Sequence, residues 1–483
     1  MQKSSFLSYL WFVVLIGIIV NCAVNPVTGK RELMLLSEAD EIKLGQQTDQ
    51  QVVQTYGLYE DPALTTYIAA IGQKMAQLSH RPHLKYDFKV MDTPVINAFA
   101  VPGGYIYVTR GILAYLNDEA ELAGVIGHEI GHVTARHSAK QYSKSQLAQI
   151  GLGLGSLLSE SFRKYAGIAQ MGVGLLFLKY SRSNEYEADQ LGVEYSTKAG
   201  YDANRMAAFF ETLERLHPSA DGSGLPEWFS THPNPENRVE EVRKAARIWQ
   251  QKVGKKNYAA NREEFLKKIE GIVVGDDPRQ GYLADLHFYH PLLKIQFPVP
   301  ANWQYNNTPS QVQLYTNDQS AVIIFTLENA ASPAQAAAAF LTNSNAVALQ
   351  QDVVNVGGFP GVRLLAQLNT QDGLLQILSY FIQKDGQIFT FHGFSAAANF
   401  ANYLQTFERT MKGFRKLSDP KRLNVQPDRL ILKRVETTGT LKKIFESWGI
   451  PQEEIEKLAI MNGLRLEEQV PAGRLIKLIK AER

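Results

Sequence analysis

The sequence predicts a multidomain chain: a mainly α-helical domain with a small sheet, then an α+β domain, then a small βααβ unit. Three observations carry this. At 483 residues the chain exceeds what one hydrophobic core usually serves. Its first half is helical in periodicity, with only two stretches of strand character, whereas strand patterns alternate with helices from Leu292 to about Leu417. Composition also shifts at Gly275-Asp276-Asp277-Pro278 and again along 418–427. The expected limits are therefore 1–22 (a leader), 23–270, 276–418 and 428–483.

The leader opens with Lys3 and an apolar run from Tyr9 to Val20, and no further charge follows until Lys30. That run is shorter than the roughly 20 residues a spanning helix needs. It fits the apolar region of a signal peptide, the alternative being a single N-terminal anchor helix. Cys22 follows directly. It is the only cysteine, so no internal disulfide framework exists. Ile19-Val20-Asn21-Cys22 resembles a bacterial lipobox, with Asn21 departing from the small residue usual there. Lipid on Cys22 would be the membrane attachment, and Ala23 after it favours the outer membrane.

After a turn-rich stretch, Ser37-Glu38-Ala39-Asp40 opens a helix through about Tyr56, and a second runs from Pro62 to Ser79. Tyr86 to Met91 reads as a strand. Asn97 to Thr109 reads as a hairpin around Pro102-Gly103-Gly104. Asn117 is placed to cap the next helix, with Asp118 and Glu119 in its first turn. Gln149 to Tyr180 is apolar and glycine-spaced but interrupted by Glu160, Arg163 and Lys164, which suits a helical flap or buried hairpin better than a membrane span. Helices follow over Arg182–Lys198, with Gly200 after its end, and from Asp202 to Leu216. A loop with Gly222, Gly224 and Pro226 leads to Thr231-His232-Pro233 and a charged helix from Pro235 to about Lys252. In the middle domain, strands are expected over Ala321–Leu327, Ile377–Gln383 and Gln387–Phe394. Helices are expected over Pro333–Leu341 and Ala397–Phe414. No tandem repeat is visible.

The chemistry concentrates in His128-Glu129-Ile130-Gly131-His132, an HExxH motif inside a helix. Residues four apart lie about 40° from each other around a helix, so both imidazoles face one point. Two neutral imidazoles on a rigid face suit zinc, and Glu129 stands where it can take a proton from a water beside the metal. A third ligand is needed. Six residues after His132, where one ligand pattern would place a histidine, stands Ser138. His137 comes one place early and reads as a structural or capping histidine. Glu185-Tyr186-Glu187-Ala188-Asp189 puts Glu185 and Asp189 on one helix face, with Glu187 on another. Glu185 then serves as the ligand, and Asp189 as the acceptor that fixes a ligand histidine's free N–H.

His128 to His132 followed about fifty residues later by Glu185-x-x-x-Asp189 resembles the zinc metallopeptidase family of HtpX, BepA and the CAAX-prenyl endopeptidases. Asn97-Ala98-Phe99-Ala100 with Gly103-Gly104 resembles that family's edge strand. Thr231-His232-Pro233 with Arg238 resembles the downstream motif of its soluble, exported BepA-like branch, whose helical repeats this chain does not carry. The resemblance covers roughly Asn25 to Lys252. It implies a gluzincin-type fold, one zinc ion held by His128, His132 and Glu185, and Glu129 as general base. Asn97, Ala98, Phe99 and Ala100 would hold an extended substrate by strand pairing. His232 has three readings: an oxyanion donor, a fourth ligand in a latent state as the resemblance implies, or a turn histidine. Arg238 orients the same loop or meets a substrate carboxylate.

Phe297-Pro298-Val299-Pro300-Ala301-Asn302-Trp303 resembles the start of small PsbP-type α/β modules. The segment from Val435-Glu436-Thr437-Thr438-Gly439-Thr440-Leu441 to Pro471-Ala472-Gly473-Arg474-Leu475-Ile476-Lys477 resembles a LysM-like βααβ module. Glu436-Thr437-Thr438 departs from its usual opening loop. These domains imply peptidoglycan or an envelope protein complex as partner. With 50 basic against 48 acidic residues, a net charge of +2 gives no case for nucleic acid. The expectation is a zinc endopeptidase on the periplasmic side of a bacterial envelope, cleaving misfolded or stalled proteins. Its rival is an envelope scaffold or chaperone with a latent metal site.

Overall fold

The computed structural model describes residues 22–151, 180–216, 227–234, 237–370 and 373–481. The leader's apolar run, residues 152–179 of the expected flap, and Gly222, Gly224 and Pro226 lie outside the described residues. Two compact units result. Leu58–Val274 and Arg429–Lys480 fall in the first, and Gly275–Asp428 in the second.

In the first unit, β1 (Cys22–Val24) pairs antiparallel with β2 (Arg31–Leu33). Helices α1 (Glu38–Tyr56) and α2 (Pro62–Ala76) follow. Asp61 caps α2 through Leu64 N–H, with Pro62 at its first position, where the missing N–H costs nothing. β3 (Asp87–Met91), β4 (Ala98–Val101) and β5 (Tyr105–Thr109) form a sheet ordered β3-β5-β4. β3 runs parallel to β5, and β4 antiparallel to it. After the short α3 (Arg110–Tyr115) comes α4 (Glu119–Thr134), the helix of the HExxH motif. Its cap is Asp118, one residue later than the sequence suggests. The Asp118 carboxylate accepts from Glu121 N–H, while Glu121 reaches back to accept from Asn117 N–H. That reciprocal pair is a capping box shifted by one residue.

Every residue of α4 is buried, so it forms the axis of the unit rather than one wall. α5 (His137–Gly151), α6 (Arg182–Lys198), α7 (Asn204–Arg215), α8 (Glu227–Thr231), α9 (Arg238–Val253) and α10 (Arg262–Ile269) complete this part. Ser181 and Asn184 box the start of α6. Small residues let α4 and α6 touch backbone to backbone. A Cβ added at Gly192 would stand 2.8 Å from His128 N, and one at Gly127 3.0 Å from Gly192 O. This close approach brings the acidic face of α6 onto the two motif histidines.

The second unit holds a four-stranded sheet of β6 (Tyr282–Ala284), β7 (His287–His290), β8 (Ile295–Pro298) and a later strand. Its larger sheet has seven antiparallel strands. These are β9 (Gln304–Asn307), β10 (Gln311–Tyr315), β11 (Ala321–Glu328), β12 (Val347–Val356), β13 (Phe359–Thr370), β14 (Gly373–Lys384) and β15 (Gln387–Ala396), in the order β12-β13-β14-β15-β11-β10-β9. α11 (Pro333–Ser344) is capped by Ser332, and α12 (Phe400–Lys412) sets Phe407 and Met411 against Phe297, Phe325 and Phe391. β16 (Arg415–Lys416) closes the smaller sheet beside β8. His392 hydrogen-bonds Ser379 at 2.7 Å, and burial pushes it down to about 4.

A short turn, α13 (Pro420–Leu423), precedes the C-terminal segment. Its order is β17 (Arg429–Arg434), β18 (Gly439–Thr440), α14 (Leu441–Ser447), α15 (Gln452–Met461), β19 (Gln469–Val470) and β20 (Leu475–Lys480). β17 pairs with β20, and β18 with β19. This segment belongs to the first unit. Leu430 exchanges backbone hydrogen bonds with Gly271 and Ile272, and Leu430 and Leu475 enter the core that contains α4. Lys477, fully buried, donates to the carbonyls of Ala114 and Leu116 at 2.8 and 2.7 Å, and so caps the C-terminal end of α3.

Candidate metal centre

His128, Glu129 and His132 come from α4, Glu185 and Asp189 from α6, His232 from the residue after α8, and Arg238 from the first position of α9. His128, His132, Glu185 and His232 form one cluster, each at most 1% exposed, with one donor atom from each lying within 4.8 Å of the others. His128 Nε2 lies 3.0 Å from His132 Nε2 and 3.3 Å from His232 Nδ1. Glu185 Oε1 lies 3.2 Å from His232 Nδ1 and 3.4 Å from His132 Nε2, and Oε2 lies 3.5 Å from His128 Nε2. Zinc at 2.0–2.1 Å from four donors gives tetrahedral edges of about 3.3 Å. The cluster therefore fits one zinc ion in size, donor type and burial.

Electrostatics agree. Burial drives His132 well below the usual imidazole range, which leaves the lone pair of one ring nitrogen available. Burial would raise Glu185, but the charge of His232 and hydrogen bonds from His132 and His232 outweigh it and hold the carboxyl well below its usual range. For His232, burial lowers the pKa, yet Glu185 and Glu129 pull it above the ordinary value. A bound cation would take the place of that proton. Glu129 is raised by burial, against the pull of His232 and His128. Among the described residues neither of its buried carboxylate oxygens has a hydrogen-bond partner, and Oε1 stands 3.7 Å from His232 Nε2. A buried carboxylate that lacks a hydrogen bond among the described residues, beside a metal-type donor set, is placed to exchange a proton with a reactant.

The surrounding residues fix these rings. His128 Nδ1 lies 2.8 Å from Asp189 Oδ1, and Arg238 clamps Asp189 with two 2.8 Å bonds while its guanidinium lies 3.8 Å above the Phe210 ring. Arg238 therefore serves Asp189 from inside the unit, and its side chain is 1% exposed. Tyr180 stacks on His132 at 3.9 Å, and Trp228 on His232 at 4.4 Å. His137, expected as a structural or capping histidine, and Glu187, on another face of α6, stand behind His132. His137 Nδ1 sits 3.0 Å from His132 Nδ1, and its Nε2 lies 3.2 Å from Glu187 Oε2.

Ala98, Phe99 and Ala100 lie in β4, which pairs within its sheet with β5 alone; Asn97 precedes it. The side chains of all four are buried, and Trp228 N–H donates to Ile96 O just upstream. Cys22 opens β1, away from the cluster in sequence and in element.

Comparison with known proteins points the same way. The chain is 32% identical over 270 residues to the beta-barrel assembly-enhancing protease of Escherichia coli (strain K12), covering 54% of each chain. It is 34% identical over 163 residues to the mitochondrial metalloendopeptidase OMA1 of Arabidopsis thaliana, covering 34% of this chain and 32% of that one. The chain spans about half the length of the first of these relatives, and less of the second. Among solved structures, cyanobacterial PsbP from Synechocystis superposes with a TM-score of 0.25 at 11% identity, over 28% of this chain and 98% of that one. Residues 62–246, which contain all four donors, match the sequence profile of Peptidase family M48, so the segment that builds this centre is similar to the M48 peptidases.

Proposed function

We propose that this chain is a zinc metalloendopeptidase that cleaves proteins of the bacterial cell envelope. One observation carries the reading: a buried His-His-Glu-His cluster of zinc dimensions beside Glu129, a carboxylate with no hydrogen-bond partner among the described residues. When bound, zinc supplies Lewis acidity for hydrolysis of a peptide bond. Glu129 takes the proton of the attacking water and returns it to the leaving amine; its raised pKa suits both roles. Asp189 and Arg238 hold His128 in one tautomer. His232 would supply a fourth ligand to the metal and so keep the resting enzyme latent. Strand β4 is the element against which an extended substrate pairs.

The envelope assignment rests on the similarity to the beta-barrel assembly-enhancing protease and on the leader with Cys22, whose acylation mass spectrometry would detect. Among the described residues no helix is long and apolar enough to cross a membrane. The C-terminal βααβ segment is a LysM-like docking element for peptidoglycan or an assembly complex. A second reading, a scaffold with a purely structural metal, draws support from the presence of four protein donors, since structural zinc sites are closed. Zinc analysis with a proteolysis assay on wild type, Glu129→Gln and Glu185→Ala separates them. Stoichiometric zinc and cleavage lost in Glu129→Gln support the enzyme. Zinc without cleavage, even after His232→Ala, supports the scaffold. Stoichiometric zinc retained in Glu185→Ala would refute Glu185 as ligand.

A further inference from the structure

We infer that His137 and Glu187 form a positioning relay that fixes the ring of His132 for metal binding. The inference rests on the zinc reading above and extends it to two residues that touch no metal-facing atom.

The relay depends on a break in the chain. On an unbroken helix a residue five places after His132 would lie about 140° around the axis and could not reach it. α4 ends at Thr134, Arg136 takes a left-handed backbone at φ 56°, and α5 starts at His137. That conformation is uncommon for a residue with a side chain, so something must hold it. Arg136 Nε donates to Glu41 Oε2 at 2.8 Å, and Nη2 donates to Leu36 O at 3.0 Å. Arg81 donates to Glu41 and to Val133 O, both at 2.9 Å. Glu41 and Arg81 are buried to within 1% of full enclosure. The break is thus bolted in place, and it turns His137 back towards His132.

With Nε2 of His132 directed at the metal cluster, its Nδ1 carries the proton and donates to His137 Nδ1 at 3.0 Å. His137 then carries its own proton on Nε2 and donates to Glu187 Oε2 at 3.2 Å. One arrangement of protons satisfies both contacts. It parallels the other side of the site, where His128 Nδ1 meets Asp189 Oδ1 at 2.8 Å. Each ligand histidine thereby has its outer nitrogen occupied, directly by a carboxylate for His128 and through an imidazole for His132. Such outer partners fix the tautomer and ring plane, and their loss typically weakens metal binding by about 10–100-fold. Glu187 lies on a different face of α6 from Glu185 and Asp189, so one helix serves both ligand histidines from two faces.

The test measures zinc affinity by chelator competition on the full chain, together with the melting temperature of the metal-free protein. His137→Ala should weaken zinc binding by about 10–100-fold. Because His137 is buried, Glu187 supplies the variant that leaves packing alone: its side chain is 28% exposed. Glu187→Ala should weaken zinc in the same direction without lowering the metal-free melting temperature. Glu187→Gln, which keeps an oxygen acceptor for His137, should recover affinity towards wild type. Wild-type zinc affinity in Glu187→Ala overturns the relay, as does a lowered metal-free melting temperature with unchanged affinity. A wild type that binds no zinc overturns the metal-centre reading and the relay with it, whereas a wild type that binds one zinc, with both alanine variants unchanged, overturns the relay alone.

Discussion

At the N-terminal end of α4, Asp118 and Glu121 are buried, and Lys477 lies buried beside them; towards its C-terminal end, His128, Glu129 and His132 are buried as well. The first cluster is closed. Asp118 accepts from Arg205 Nε at 2.6 Å, Glu121 accepts from Arg205 Nη2 at 3.1 Å and from Asn117 N–H, and Lys477 donates to two carbonyls. The second cluster is open, since among the described residues Glu129 and His232 Nε2 have no hydrogen-bond partner. Both sets bear the desolvation cost of burial, but only one is compensated within the protein. A satisfied cluster holds the C-terminal segment to the unit; an unsatisfied one is where a ligand completes the structure.

Changes at the open cluster should alter chemistry, and changes at the closed cluster should alter stability. The largest effect belongs to Glu129→Gln. It should lower proteolysis by about 10²–10⁴-fold, the range for a general base, with zinc retained by metal analysis. Gly192→Ala comes next. Alanine is the better helix former by about 1 kcal/mol, yet its Cβ would stand 2.8 Å from His128 N. α4 and α6 should part and zinc affinity fall; wild-type zinc binding in this variant would show that the helices need no such closeness. His232→Ala should raise proteolysis and self-cleavage with zinc still bound. A fall of about 10²–10³-fold would instead make His232 an oxyanion donor.

The closed end gives smaller changes. Lys477→Met keeps the stem and removes the donors to Ala114 and Leu116. Leaving buried acceptors unsatisfied costs about 1–3 kcal/mol, readable as a lower denaturation midpoint with zinc affinity intact. The last expected change is a pH slope. Burial, reinforced by Asp118, pushes Glu121 from 4.5 up to about 8. The folded state then holds a proton that the unfolded state releases above pH 4.5. Its contribution is complete below that value and is lost as pH rises through about 8. Glu121→Gln should flatten the fall in stability between these limits, and an unchanged slope would place the titration elsewhere.

Much of the open end is legible in sequence because helical spacing is local. His128 and His132, and Glu185 and Asp189, are pairs four apart, and α6 begins and ends where capping residues place it. His137 is not legible in this way, since the helical projection assumes no break and Arg136 supplies one through contacts to Leu36 and Glu41, about a hundred residues away. The closed end is invisible for a related reason. A lysine in the strand Leu475–Lys480 reads as solvent-facing, and only the approach of the α3 carbonyls explains its burial. In the second unit, β14 and β15 carry runs of buried residues, whereas β12 is largely exposed along its length, so little in its sequence signals a strand.

The stacking of Trp228 on His232 makes the centre its own optical reporter. The indole is buried, parallel to the imidazole to within 22°, and on the same short helix whose backbone holds Ile96 ahead of β4. An imidazole in van der Waals contact quenches indole emission, and a displaced one does not. Any event that draws His232 out of the cluster should brighten Trp228, whether a peptide settling along β4 or a partner tugging on α8. The opening of the site could then be timed in stopped flow before any bond is cut.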